Sequence, residues 1–372
     1  MSQSAAYTPN APSTPSPSDD TVPACEEFLQ LSAALADIES CLDQDRPEEA
    51  LNIFLHLLKL APVCLQDCPG EDLRYWLAQA GTSIAVWYAE DGNPGRAERM
   101  ATALLSLGDE DEIREKQAEA QSALIQACLA AGELQKARKF HKQMEMYGEN
   151  SEVRYWRAAA LFSLLQYCSA KHQERDMRPL MPLLDALGDE PDIRFWRLLG
   201  VGAAARLYAA LEKEGQVLQL MEEMLTLGDE PNLRMARARE FGALAERFAA
   251  KGNMLLADSI CDVMDQCGKE VEIRYFKAKA CAALALRKAR DKDADAALQR
   301  YNTLSLMGSG PVLRRLQAEC GLALCRIFAD NGDIAHAVQA CELLGKLEND
   351  EHITALRQEA LDILEEKEQI EA

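Results

Sequence analysis

At 372 residues the chain is far longer than one small core requires, and 61 acidic against 40 basic side chains leave a formal net charge of −21. So acidic a chain lacks the broad basic face that phosphate neutralisation needs, which argues against nucleic acid as a partner. Ala, Leu, Glu, Gln, Arg and Met dominate and only 6% of residues are aromatic, a composition that favours helix over sheet.

Residues 1–23 are rich in Ser, Thr and Pro and poor in apolar side chains, so they are expected to form a disordered tail. They carry no basic stretch followed by an apolar run, and no segment of the chain approaches the ~18 apolar residues of a membrane span. A cytoplasmic location follows as an expectation. With it, the 12 cysteines should be free thiols rather than a disulfide framework.

Residues 24–70 show a two-helix pattern, CEEFLQLSAALADIESCLDQDRPEEALNIFLHLLKLAP. Its turn mark, Arg46-Pro47 followed by Ala50, falls seven residues early against what comes later. The charged stretch from Asp43 to Arg46 suits an N-terminal capping pair.

From residue 71 to 350 the chain repeats every 40 residues without insertion or deletion. Arginine recurs at Arg74, Arg114, Arg154, Arg194, Arg234, Arg274 and Arg314, each after an apolar residue such as Ile113 or Val153. Glycine recurs at Gly108, Gly148, Gly188, Gly228, Gly268 and Gly308 inside loops such as LGDEP. A fixed period in this range is the mark of stacked supersecondary units. Each unit predicts two helices. In the unit that begins at Pro191, a first helix of about 20 residues starts with proline at its first turn. A second follows with Val217, Leu220, Met221, Met224 and Leu227 on one face. Gly228 falls where a left-handed C-cap would end it. One pair cannot bury such a stripe; a stack of pairs can. Residues 351–372 read as a C-terminal capping helix, with Ile353 in phase but Thr354 in the arginine position.

A ladder arginine occupies the fourth position of each first helix, where a cation opposes the helix dipole. The expected compensation is the acidic interrepeat loop, Asp189-Glu190 and its equivalents Asp109-Glu110 and Asp229-Glu230. The alternative is a basic row for an anionic ligand. The aromatic pairs Tyr75-Trp76, Tyr155-Trp156, Phe195-Trp196 and Tyr275-Phe276 likewise serve either packing or partner anchoring.

The inner part of each unit resembles a tetratricopeptide repeat. Gly92 with Ala97, Gly132 with Ala137, Gly252 with Ala257 and Gly332 with Ala337 match that family's turn glycine and following alanine. Ile84-Ala85, Leu244-Ala245 and Leu324-Cys325 match its apolar-small pair, and Tyr88, Phe248 and Phe328 its aromatic. Three units depart, with His172, Glu212 and Lys292 at the turn, and the period is 40 rather than roughly 34 residues. The resemblance implies an all-α, right-handed α-solenoid of about eight antiparallel helix pairs plus a C-terminal capping helix. It also implies a groove, lined by first helices, that binds a protein or peptide. The groove positions it points to are Gln126, Phe162, Gln166, Arg206, Glu246 and Arg326. A clamp for a C-terminal carboxylate is not expected, because Gly202, Ala209, Gly242, Ala249, Ala282 and Leu322 fill matching positions with small or apolar groups.

Catalytic chemistry is not foreseen. His56, His141, His172, His336 and His352 share no helical face and no metal-binding spacing, and His141 takes the core phase of Ala101, Met181 and Cys261. Cys64 and Cys68 could meet across one helical turn, but Pro69 follows at once. Cys128 with Cys168, and Cys261 with Cys341, recur at repeat phases that suit small core residues. No phosphate-binding glycine loop or nucleophile elbow is present, and no cofactor or metal is expected. The function expected is a non-enzymatic scaffold or adaptor for a basic or amphipathic partner. The alternatives are a self-assembling homo-oligomer and an accessory domain of an enzyme complex.

Overall fold

The computed structural model describes residues 26–67, 71–308, 310–347 and 351–371. The expected tail at 1–23 therefore lies outside the described residues, as does Cys68 of the Cys64–Cys68 pair. Among the described residues the secondary structure is helical and contains no strand.

An opening pair, α1 (Glu26–Asp43) and α2 (Pro47–Asp67), precedes the regular units. First helices of the units are α3 (Glu71–Glu90), α5 (Asp111–Ala130), α7 (Ser151–Ala170), α10 (Pro191–Ala210), α12 (Pro231–Lys251), α14 (Val271–Arg290) and α16 (Pro311–Asp330). Their second helices are α4 (Pro94–Leu104), α6 (Leu134–Gln143), α8 with α9 (Glu174–Met177, Met181–Asp185), α11 (Glu214–Thr226), α13 (Met254–Val263), α15 (Ala294–Ser305) and α17 (Ile334–Gly345). Helix α18 (Glu351–Glu371) closes the series. The third unit's second helix is split. Pro179 and Pro182 remove backbone donors inside the segment, and the chain turns at 178–180 before α9 resumes.

Packing follows chain order. Each first helix lies against its own second helix, against the preceding second helix, and against the first helices on either side. The core is built from fixed phases. Ala97, Ala137, Met177, Val217, Ala257, Ala297 and Ala337 are all buried where the second helix meets the first. Seven residues later in each unit stands a large apolar side chain, from Leu104 and Met144 to Leu304 and Leu344, again fully buried. Helix α18 joins in the same phase as a first helix, burying Ile353, Ala360 and Leu364 against α16 and α17.

The turn inside each pair is a Schellman motif. In the α3–α4 turn, Gly92 N–H bonds to Ala89 C=O and Asn93 N–H to Tyr88 C=O, at 3.2 and 2.9 Å. The units without a turn glycine keep the same geometry: His172, Glu212 and Lys292 stand at φ 55°, 60° and 65°, beside 75° for Gly92 and 80° for Gly132. Asp45, at φ 58°, does the same for the early-falling first pair, with Ala50 five residues on. Packing on both sides holds these side-chain-bearing residues in a left-handed backbone that costs them about 1–2 kcal/mol each.

The glycine between units behaves differently from the left-handed C-cap expected at Gly228. Gly228 has φ 120°, and Gly148 lies at φ 102°, ψ −166°, an extended mirror-image region open only to glycine. The chain leaves the second helix in this conformation and enters an extended N-cap residue, with ψ between 148° and 165° at Glu110, Asn150, Glu190, Glu230, Glu270 and Gly310. Where the N-cap is glutamate, its carboxylate folds over the glycine, in the space a Cβ would take.

That carboxylate receives the ladder arginine of the preceding unit, 36 residues earlier. Arg74 pairs with Glu110, Arg154 with Glu190 at 2.5 Å, Arg194 with Glu230, and Arg234 with Glu270. Arg234 also reaches Asp229 of the loop before it, at 3.4 Å, so it spans two successive loops. Asn150 offers no carboxylate, and Arg114 pairs with Asp109 at 3.2 Å instead. Gly310 offers no side chain, and Arg274 donates to the Met307 carbonyl at 3.2 Å. The Glu190 and Glu270 carboxyls are held below the ordinary range, first by their own backbone N–H groups and then by Arg154 and Arg234.

A second polar register, three residues after the ladder, was not anticipated. Gln117 donates to the Leu104 and Gly108 carbonyls at 3.1 and 2.9 Å, and Gln317 to those of Leu304 and Gly308 at 3.0 and 3.1 Å. Arg237 and Arg357 reach the corresponding carbonyls of Met224 and Leu344 at 2.9 and 3.0 Å. These donors, buried except for the half-buried Arg357, satisfy the last carbonyls of the preceding second helix, which have no intrahelical partner.

Two outcomes follow, both read by urea unfolding. His172→Gly should raise stability by about 0.5–1 kcal/mol, the left-handed penalty less glycine's extra chain entropy. Gly132→Ala, where an added Cβ meets nothing within 4 Å, should lower it by about 1 kcal/mol. In a double-mutant cycle, Arg194→Ala and Glu230→Gln should show a coupling of a few tenths to about 1 kcal/mol; a coupling of zero would remove the clasp as a stabilising contact.

Candidate protein-binding face

First helices are covered on three sides, by their own second helix, the preceding one and their neighbours. One face remains. Along α12 it carries Met235, Arg239, Ala243, Glu246 and Ala250, all exposed or half-exposed and spaced three to four residues apart on one side of the helix; at the same phases of α10, Leu199 and Ala203 are buried. The middle of this face is small throughout, as Ser83, Ala123, Ser163, Ala203, Ala243, Ala283 and Ala323 share one phase. To one side lie the aromatic positions, and to the other the phase of Gln126, Gln166, Arg206, Glu246 and Arg326.

Five of the six residues singled out from sequence thus belong to one row across successive first helices, and Phe162 lies just inside it. Gln126 and Gln166 are exposed. Phe162 is half-buried against Trp196, with ring centroids 5.5 Å apart. Tyr155 meets the same indole edge-on at 5.7 Å. Glu246 pairs with Lys279 at 3.5 Å. Arg326 pairs with Glu359, which ties it to α18. The ladder arginines lie apart from this row, at the loop edge among the N-cap residues. Of the aromatic pairs, Trp156 and Trp196 are half-buried and packed edge-on against Tyr155 and Phe195, while Trp76 is 49% exposed.

Arg206 is joined to a residue the sequence reading missed. Its guanidinium pairs with Glu240, whose side chain is only 5% exposed, and Arg239 reaches the other oxygen at 3.5 Å. Glu240 stands in a phase otherwise held by Ala80, Ala120, Ala160, Gly200, Ala280 and Cys320. It fits because Gly202 opposite has no Cβ: one placed there would sit 2.7 Å from the glutamate. A charged residue breaking a small-residue phase, opposite a glycine, was the available signal. Burial, and then the neighbouring Arg239 and Arg247, pull the Arg206 guanidinium down to about 10.

The first helices are polarised by charge. Helices α3 and α5 carry seven acidic side chains against three basic ones. Helices α10, α12, α14 and α16 carry 17 basic against 6 acidic. At the acidic end, burial and then the carboxylates of Glu152 and Glu112 push the Glu115 carboxyl up. Between α3, α5 and α7 the face opens into a cleft of about 300 Å³, lined among others by Glu90, Glu119, Ser122, Gln126 and Trp156.

His141 and most of the described cysteines belong to the core. His141 is buried, and desolvation followed by Arg157 lowers it to about 4, so it is neutral at pH 7. The nine described cysteines are free, and all except Cys341 are buried. Burial pushes the Cys128, Cys168, Cys267 and Cys325 thiols up to about 11 and Cys320 to about 12, which removes thiolate reactivity near neutral pH.

No family model and no curated protein matches the chain. Among solved structures it is similar to the crystallised TPR domain of P58(IPK), at 14% sequence identity over 91% of this chain and 99% of that one, with a TM-score of 0.23. The architecture described here rests on the chain's own packing. No described helix is long and apolar enough to cross a membrane.

Glu240→Gln should destabilise the protein by about 1–3 kcal/mol, because it leaves Arg206 half-buried among like charges. Adding Arg206→Gln should recover part of that loss. Thermal unfolding of the two variants checks this, and a double variant no more stable than Glu240→Gln alone would show that the pair is not coupled.

Proposed function

We propose that the chain is a non-enzymatic scaffold that holds a protein or peptide along the uncovered face of its first helices, as a right-handed, tetratricopeptide-like solenoid of about eight helix pairs. One observation supports this above others. Positions that build the stack keep their character from unit to unit, as the phase from Leu104 to Leu344 is always a large apolar residue. The equivalent uncovered phase reads Gln126, Gln166, Arg206, Glu246, Leu286 and Arg326, passing through neutral polar, basic, acidic and apolar groups. Equivalent backbone sites that differ only in what they present to solvent suit a surface that reads successive, different groups of an extended partner. A basic or amphipathic partner suits the acidic end of the face, and the buried, unreactive thiols suit the cytoplasm as its location.

Affinity capture with chemical cross-linking and mass spectrometry tests the reading. Cross-links to a captured partner should fall on the uncovered face between α3 and α14, and the free protein should be monomeric by light scattering. Cross-links confined to the loop edge or to the second helices, or a stable homo-oligomer that buries this face, would overturn it.

A further inference from the structure

Resting on that reading, we propose that the cleft between α3, α5 and α7 takes one cationic side chain, an arginine or lysine, from the partner segment. Three independent features meet there. The first is charge: the two ionisable residues that line the cleft, Glu90 on α3 and Glu119 on α5, are both acidic. Glu119 holds Lys116 through one carboxylate oxygen at 2.9 Å, which leaves the second oxygen for another donor. Glu90 is exposed at the rim. The surroundings reinforce the sign, since burial and the neighbouring carboxylates already disfavour ionisation of Glu115 on the same helix.

The second feature is the wall. Trp156 of α7 closes the cleft, fixed edge-on against Tyr155 with ring centroids 5.0 Å apart. Indole is the strongest of the aromatic groups in attracting a cation to its face, and a planar guanidinium also stacks on it. The apolar stem of a long basic side chain would lie on Val86, Ala123 and Ala127, as such stems do.

The third feature is an unmet polar group. Ser122 lines the cleft, is 1% exposed, and its hydroxyl has no hydrogen-bond partner. Buried hydroxyls are normally satisfied, and one left open in the lining of a cleft has lone pairs free to accept from a donor. An ammonium or guanidinium offers three to five N–H donors, enough for Ser122, the Gln126 amide oxygen and a carboxylate together. An anionic side chain would bring like charge beside Glu90 and Glu119, and a purely apolar one would leave the Ser122 hydroxyl unmet.

The test uses the full-length protein and the blocked peptide Ac-Ala-Leu-Arg-Leu-Ala-NH2, followed by the Trp156 indole N–H resonance, which is assigned by its loss in Trp156→Phe. The arginine peptide should shift it saturably, and the same peptide with citrulline, isosteric but uncharged, should bind about ten-fold more weakly or worse. A lysine peptide that also saturates the shift assigns the cleft to cations generally. Glu90→Gln with Glu119→Gln should weaken the arginine peptide by a similar factor while leaving the melting temperature unchanged. Equal affinity for arginine and citrulline peptides, or an arginine affinity unchanged in the double variant, would overturn the proposal. Such a failure is separable from failure of the scaffold reading: a partner cross-linked to the uncovered face elsewhere would keep the latter and abandon only the cleft.

Discussion

Everything in this protein depends on one first helix stacking on the next. Ile84, Leu124, Leu164, Leu244, Leu284 and Leu324 share a phase and are all buried, yet within a single helix pair each would be exposed on one flank. Burying a leucine is worth roughly 1.5–3 kcal/mol, and a pair that cannot do so alone has no stable isolated state. The repeat must therefore propagate, and it must propagate in strict register. A one-residue insertion would rotate a first helix by about 100° and move this phase out of the interface. The unbroken 40-residue spacing is the sequence form of that physical demand.

Register is then secured by polar contacts at the loop edge. Stacking leaves two sets of backbone groups to be met at each joint, the last carbonyls of a second helix and the first N–H groups of the following first helix. The register of Gln117, Arg237, Gln317 and Arg357 supplies donors to the carbonyls. Arginine and N-cap glutamate join one first helix to the start of the next. The interunit glycine serves both. Its mirror-image backbone turns the chain into the N-cap, and its missing Cβ gives the glutamate carboxylate its place. This resolves why a cation should recur near seven helix N-termini against the dipole. At Arg74, Arg154, Arg194, Arg234 and Arg274 the arginine acts mainly at the joint ahead of it, on the next unit's N-cap glutamate or interunit carbonyl, while its own helix N-terminus bears the modest dipole penalty.

What could be read from sequence follows from this. Positions under strict geometric demand, the arginine and glycine ladders and the apolar phases, recur and are visible by counting. Positions where the fold tolerates a cost are not. His172, Glu212 and Lys292 look like missing turns because a left-handed conformation is a property of the packed chain and leaves no residue signature when glycine is absent. The split between α8 and α9 was legible in Pro179 and Pro182 but was masked by the regularity of neighbouring units. Glu240 was hidden because its accommodation depends on a residue on another helix, Gly202. The row holding Gln126, Gln166, Arg206, Glu246 and Arg326 shares one repeat phase and so can be counted in the sequence, while the cleft beside Gln126 needs three helices at once and has no sequence period.

The net charge is a similar lesson in where a property resides. A value of −21 suggests a uniformly acidic molecule that attracts basic partners. At physiological ionic strength, however, exposed charges are felt over only about 8 Å. A bound segment senses the face it lies on. There Glu90, Glu115 and Glu119 stand at the α3–α5 end, while Arg206, Arg239, Lys279 and Arg290 outnumber Glu246 toward α14. A partner segment with its basic residues toward α3 and its acidic residues toward α14 meets opposite charges throughout. Reversed, it meets like charges at both ends, and juxtaposed like charges are what exclude a wrong arrangement. On the proposed reading, the polarity of the face would favour one direction of a bound chain over the other, which a single net charge could never specify.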